Sequence, residues 1–198
     1  MRTLEEAALD ASTCTRCRLS QGRTQVVYGV GDPNADLMFI GEAPGFHEDK
    51  QGEPFVGAAG QLLNQLLGEI DVPRDDVYIN NTVNCRPPGN RDPLPDELEA
   101  CKPWLDERVA LIDPAVVVTL GNWATRYILG KQVSISRVRG QRFPWSGRTV
   151  IPTFHPAAVL HGGGQASNQM TALRADFQEI RRALAERPQP AEEQLGLF

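Results

Sequence analysis

Cys14 and Cys17 stand two residues apart in "ASTCTRCRLS", and the remaining cysteines, Cys85 and Cys101, follow with fifteen residues between them. A Cys-x-x-Cys pair serves a redox disulfide, a zinc knuckle or an iron–sulfur cluster. A redox pair would use only the first two thiols. A zinc ribbon presents two tight knuckles, whereas here the second pair is split by a proline-rich loop and a helical stretch. Four thiolates drawn from three separate segments suit a four-iron cluster at least as well as zinc, and spacing leaves the two level.

Other residues with chemistry to offer lie in short polar loops. His155 sits in "FHPAAVL", where a neutral imidazole N–H can meet an oxygen that gains negative charge. "NNTVNC" holds Asn80, Asn81 and Asn84, and an asparagine amide presents a donor and an acceptor side by side. Glu42 in "GEAPG" and Glu48 in "HEDK" are carboxylate candidates.

The elements that must position these residues alternate between apolar runs and helical patterns. "ADLMFIG", "DDVYINN", "PAVVVTL" and "RTVIPTF" read as strands. "GAAGQLLNQLLGEI" places Leu62, Leu63, Leu66, Leu67 and Ile70 at helical spacing. "LPDELEACKPWLDERVALI" reads as a helix with Asp96 as N-cap and a bend or break at Pro103. "NWATRYIL" and "ASNQMTALRADFQEIRRALAE" read as further helices. Such alternation predicts a three-layer α/β/α fold around a central, mainly parallel four-stranded sheet. The polar loops then fall together beyond the carboxyl ends of the strands, where open α/β sheets bind ligands.

The chain of 198 residues is long enough for one such domain over residues 1–186, with residues 187–198 as a polar tail. The start "MRTLEEAALD" is acidic, and no apolar run approaches a bilayer span, so we expect a cytoplasmic, nucleoid-associated protein with reduced thiols and no membrane partner. Net charge is −5, yet no Asp or Glu occurs between Pro114 and Ala175, where seven Lys and Arg residues leave −12 on the rest. That asymmetry fits a phosphate-binding face as well as a scatter of solvated arginines.

Taken in order, "CTRC", "GEAPG" with "EDKQGEPFVG", "NNTVNCRPPGNR", Cys101 and "HPAAVL" resemble the family-four, iron–sulfur uracil-DNA glycosylases from residue 14 to the last helix. The resemblance implies a monomeric, monofunctional enzyme that flips uracil out of single- or double-stranded DNA and hydrolyses its glycosidic bond. It implies a structural [4Fe–4S] cluster on Cys14, Cys17, Cys85 and Cys101. It implies uracil binding by Gly41, Phe55, Asn81 and His155, with Phe55 as the floor under the base. Asn81 is chosen over Asn80 by the motif alone.

The sequence also departs from better-known uracil glycosylases. Ala43 stands where they carry a water-orienting aspartate, which turns attention to Glu42 and Glu48. Gly45 replaces a tyrosine that excludes thymine, a task that falls to Glu48. Leu160 is expected as a wedge into the DNA stack, and Arg137, Arg139 and Arg142 as phosphate contacts. The final "QLGLF" resembles a sliding-clamp docking peptide, with Gln194, Leu195, Leu197 and Phe198 as its anchors. The competing class is a non-catalytic nucleic-acid-binding α/β module built on a four-thiolate zinc site.

Overall fold

The structure, a computed structural model, describes residues 2–186. The clamp-docking residues Gln194, Leu195, Leu197 and Phe198 lie outside the described residues.

Six strands form one sheet: β1 (Val30–Gly31), β2 (Leu37–Gly41), β3 (Tyr78–Asn81), β4 (Val116–Leu120), β5 (Phe143–Trp145) and β6 (Arg148–Thr153), in the order β1-β3-β2-β4-β6-β5. The four strands expected from the sequence are its central, parallel part. The expected count of four is corrected to six, because β1 and β5 add antiparallel edges. These edge strands are two and three residues long, too short for an alternation signal, and β5 carries Pro144 at a sheet edge, where proline is tolerated.

β2 and β4 are buried at every position, so they read as continuous apolar runs, as parallel strands covered on both faces do. α3 (Ala58–Glu69) and α8 (Asn168–Ala185) cover one face. There Leu63, Leu66, Phe177 and Ile180 pack on Phe39, Ile79, Val118 and Ile151. α4 (Pro95–Ile112) and α5 (Gly121–Leu129) cover the other, with Leu105, Val109 and Ala124 against Met38, Ile40, Val117 and Val150. α1 (Leu4–Ser12) joins α4 at a third cluster that contains the cysteines. Short helices α2 (Phe46–Gln51), α6 (Ile135–Val138) and α7 (Pro156–His161) complete the described chain. No described helix is long and apolar enough to cross a membrane.

Two local expectations are corrected. α4 runs unbroken through Pro103, whose missing N–H strands only the carbonyl of Glu99 on an exposed turn that water can reach. Its N-cap is Leu94 and not Asp96: Glu97 reaches back to accept the Leu94 N–H at 2.8 Å, while Asp96 pairs with Arg18 at 2.5 Å.

Candidate active site

The parallel strands end in a row, and each contributes a residue. Gly41 ends β2 and is paired in register with Asn81, the last residue of β3. A Cβ on Gly41 would sit 2.4 Å from Asn81 Oδ1 and 2.8 Å from the Phe55 ring, so glycine is what lets these two side chains meet there. Across the site, the Phe55 ring stacks on His155 with centroids 5.5 Å apart and 27° between planes. Gly121, in the left-handed region at φ 88°, follows β4 and gives His155 Cβ room, since its own Cβ would lie 3.1 Å away.

Strand geometry separates the asparagines that the sequence left together. Successive side chains alternate between faces. Ile79 packs in the α3/α8 core and Tyr78 in the α4/α5 core, so Asn81 shares the face of Ile79 and Asn80 the face of Tyr78. Asn81 therefore meets Phe55, with its buried Oδ1 unpartnered among the described residues. Asn80 is buried on the opposite side, with both amide atoms unpaired among the described residues. Asn84 is structural: its Oδ1 accepts from Arg108 at 2.7 Å.

His155 caps α7, and its Nδ1 accepts the Ala157 N–H at 3.2 Å. Burial pushes its pKa down to about 4, so the ring is neutral at physiological pH. With Nδ1 engaged as an acceptor, the neutral ring carries its proton on Nε2.

Phe55 itself holds φ 56°, a conformation non-glycine residues seldom adopt. Glu48 secures the loop on both sides of the pocket rim. Its Oε1 accepts from Val56 N at 3.1 Å and Gly57 N at 3.2 Å, and its Oε2 from Gly45 N at 3.2 Å. A Cβ on Gly45 would lie 2.8 Å from Glu48 Oε2, so this carboxylate fills the space a larger residue at 45 would need.

Glu42 follows Gly41, and its carbonyl accepts from Thr82 Oγ1 at 2.6 Å. Burial, then the charge of Asp92 and a hydrogen bond with it, raise the Glu42 carboxyl to about 7. Asp92 was invisible to sequence reasoning because it belongs to a loop fifty residues on, with no local signal.

The four cysteines line one small cavity together with Arg23, Asn84 and Trp104. Three sulfurs accept N–H groups: Cys14 from Trp104 Nε1 at 3.3 Å, Cys85 from Arg23 Nη1 at 3.4 Å and Cys101 from Asn84 N at 3.3 Å. All four are free of disulfides. Among the described residues no three His, Cys, Asp or Glu side chains converge as a single bound ion requires.

Buried Arg108 links this cavity to the pocket. It donates to Tyr28 O at 2.5 Å, to Asn84 Oδ1 and to Asn81 O at 3.2 Å, and lies 4.5 Å from the Tyr28 ring centroid. An arginine inside a helical pattern carries no local signal of such burial in the sequence.

Two of the three expected phosphate contacts are held in internal ion pairs. Arg139 is held by Asp176 and Arg142 by Glu179 and Glu186; Arg137 alone of the three has no side-chain partner among the described residues. Arg148 and Arg174 are likewise paired, with Asp113 and Glu69. Four of the seven cations in the acid-free stretch are thus paired with carboxylates from elsewhere in the chain. In α7, Val159 is fully buried and Leu160 is 37% exposed.

Residues 28–184 match the family model described as the uracil DNA glycosylase superfamily. The chain belongs to that superfamily. A type-4 uracil-DNA glycosylase of Sulfurisphaera tokodaii is 46% identical over 190 residues, covering 91% of this chain and 84% of that protein. Relatives of the same description from Thermotoga maritima and Saccharolobus solfataricus are 50% and 41% identical, covering 74% and 95% of this chain and 78% and 89% of their own. With these relatives the superfamily member described here falls in the type-4 branch. The elements that build its pocket, β2, β3, β4 and β6, all lie within the matched residues.

Proposed function

We propose that the pocket receives a uracil flipped out of DNA and that the chain hydrolyses its N-glycosidic bond, leaving an abasic site at the start of base excision repair. One observation carries the reading: the unpartnered, buried Oδ1 of Asn81 beside Phe55 and within the row of strand ends that also holds His155. Uracil offers an N3–H to that oxygen and its O4 to the Asn81 amide N–H. Cytosine reverses this edge and would leave both groups unpaired, a penalty that buried polar sites enforce strongly.

Chemically, the C1′–N1 bond breaks with positive charge on the sugar and negative charge on the base. His155, neutral and protonated on Nε2, donates to uracil O2 as that charge develops, which stabilises the transition state more than the ground state. Phe55 supplies the stacking floor. Water adds its oxygen to C1′, and its proton ends on the departing uracil anion, so that neutral uracil and an abasic sugar result. We assign to Glu42, which adjoins Gly41 at the end of β2, the task of orienting that water and offsetting the sugar cation once its own proton is gone. Glu48 excludes the thymine methyl from the rim, and Leu160 fills the stack.

Cys14, Cys17, Cys85 and Cys101 would hold a [4Fe–4S] cluster. Four thiols arranged around a cavity, three of them already accepting N–H groups, fit a body larger than one ion better than they fit zinc. When bound, the cluster supplies cross-linking between α1, the loop after β3 and α4, and takes no part in bond breaking. The non-catalytic zinc module is not favoured, because it gives the Asn81–Phe55–His155 pocket nothing to do. The tail, residues 194–198, is proposed to dock on a sliding clamp; its deletion should end clamp pull-down and spare activity on naked DNA.

The decisive experiment is release of free uracil from a uracil-containing oligonucleotide by cluster-replete protein. We expect turnover that His155→Ala reduces by roughly two to three orders of magnitude, the usual cost of one donor to developing negative charge. No release from single- or double-stranded substrate would defeat the reading.

A further inference from the structure

While Arg139, Arg142, Arg148 and Arg174 are held in internal ion pairs, two cations outside any ion pair among the described residues flank the ring of Phe46. Phe46, the first residue of α2, is 45% exposed. Lys50 Nζ lies 4.8 Å from its ring centroid and Arg86 Cζ 5.0 Å from it, while the His47 ring meets it edge-on at 5.4 Å. Phe46 and Lys50 are four residues apart on one helix and so share a face. Arg86 arrives from the loop after β3. Its Nε donates to Asn90 Oδ1 at 2.7 Å, which fixes the guanidinium plane and leaves the terminal nitrogens without a protein partner among the described residues.

Neither Lys50 nor Arg86 takes part in an ion pair among the described residues, although ion pairs are common elsewhere on this surface. Two like charges converging on one exposed ring repel each other, so the arrangement contributes little to folding. It does match what grooves for single-stranded nucleic acid use: an aromatic face for a base, and cations for the phosphates on either side. A protein partner would need an apolar surround for Phe46 and counter-charges for both cations.

This surface is continuous with the pocket. Glu48, on α2 between Phe46 and Lys50, binds the N–H groups of Val56 and Gly57 directly after Phe55. A Cβ on Gly57 would lie 4.0 Å from His47 Cδ2, which puts the edge of the exposed aromatic pair against the same segment.

Resting on the uracil-excision reading, we propose that Phe46 is the stacking platform for the base adjoining the flipped uridine, and that Lys50 and Arg86 bind the flanking phosphates. The partner is DNA that is single-stranded, or locally unpaired, at the lesion. The α2 rim thereby replaces residues 137–142 as the main phosphate-contacting surface.

The test uses the full, cluster-replete chain and a single-stranded oligonucleotide carrying a tetrahydrofuran abasic analogue flanked by 2-aminopurine. This probe is not a substrate, so binding is read without activity. Anisotropy over a salt series should show Lys50→Ala and Arg86→Ala each flattening the dependence of log K on log salt by about 0.7. Phe46→Ala should weaken binding roughly 5- to 100-fold with the slope unchanged, and should abolish 2-aminopurine quenching. Arg142→Ala, from the ion-paired face, should leave slope and quenching as in the wild type. Circular dichroism and visible absorbance check that each variant is folded and loaded. Phe46→Ala binding within twofold of wild type, unchanged slopes in both cation variants, or an Arg142→Ala loss equal to theirs would each overturn the proposal. Wild-type protein that shows the expected binding pattern yet releases no uracil would count against the excision reading alone and support this surface.

Discussion

The Cβ that Gly41 lacks would fall 2.4 Å from Asn81 Oδ1, closer than any real contact allows, and 2.8 Å from Phe55. Both neighbours are buried, so neither has an open path of retreat. Gly41→Ala should therefore turn the Asn81 amide away from uracil and tilt the stacking floor. We expect a fall in kcat/KM of roughly 100-fold, the scale of a catalytic geometry disturbed by about an ångström. The cost to stability should be about 1–3 kcal/mol, as for other overpacked core sites. Kinetics paired with thermal melting would check this; an Ala variant with wild-type turnover would mean that Asn81 does not read the base.

His155 should remain neutral, with its proton on Nε2, throughout the working pH range. Burial sets its pKa near 4, below the 6.5 of an open histidine. The unfolded chain takes up that proton first, so this residue's contribution to stability is complete above about pH 6.5. It declines as pH falls towards 4 and then levels off. Nitrogen chemical shifts of labelled histidine should show a protonated Nε2 and a bare Nδ1 down to about pH 5. A protonated Nδ1 at pH 7 would remove the argument for donation to uracil O2.

The Glu42 carboxyl, raised to about 7 by burial and by Asp92, implies an opposite trend. Its folded pKa exceeds the usual 4.5, so the folded state holds this proton more tightly and loses relative stability as pH climbs from about 4.5 to about 7. If Glu42 orients water, kcat/KM should rise along a limb with an apparent pKa near 7. Asp92→Asn removes the second charge and should move that limb to lower pH. Burial, the larger cause, stays in place, so the limb should stop above the ordinary carboxylate range. A pH profile from 5 to 9 for both proteins is the measurement, and a limb that does not move would separate Asp92 from the chemistry.

Much of this was legible in the sequence, and the reasons are local. Fully buried β2 and β4 announced themselves as apolar runs, and α3 by its leucine spacing. Gly41, Asn81 and His155 lie at or just beyond strand ends, where parallel alternation puts the loops, while Phe55 comes from the segment between α2 and α3. The ion pairs of Arg139 and Arg142 were not legible, because their partners, Asp176 and Glu179 on α8 and Glu186 at its C-cap, lie 37 or more residues away, so a one-dimensional charge count cannot pair them. Asn80 and Asn81 could be told apart only by which core Tyr78 and Ile79 face. Asp92 and Arg108 escaped for a related reason: each acts on a segment far along the chain, and neither belongs to a local pattern.

Arg108 offers the sharpest test of how the thiol cavity and the pocket are joined. One guanidinium holds the carbonyl of Asn81, the amide of Asn84 and the carbonyl of Tyr28, and Asn84 N in turn donates to Cys101. No carboxylate pairs with it among the described residues. Its charge instead lies near the Cys101 sulfur, where it opposes the upward push of burial on that thiol. Arg108→Met keeps most of the volume but leaves three buried acceptors short of a donor, at a cost of about 3 kcal/mol. The end of β3 should then loosen. We expect weaker inhibition by free uracil and a KM that rises more than kcat falls, because positioning of the base is lost before the donor at His155 is touched. Arg108→Lys should recover only part of this, since an ammonium cannot reach three acceptors in the plane of a guanidinium. Denaturation of cluster-intact protein, together with uracil inhibition constants, would decide the matter. A Met variant as stable as the wild type, with unchanged uracil affinity, would show that the thiol cavity and the base-reading strand are independent.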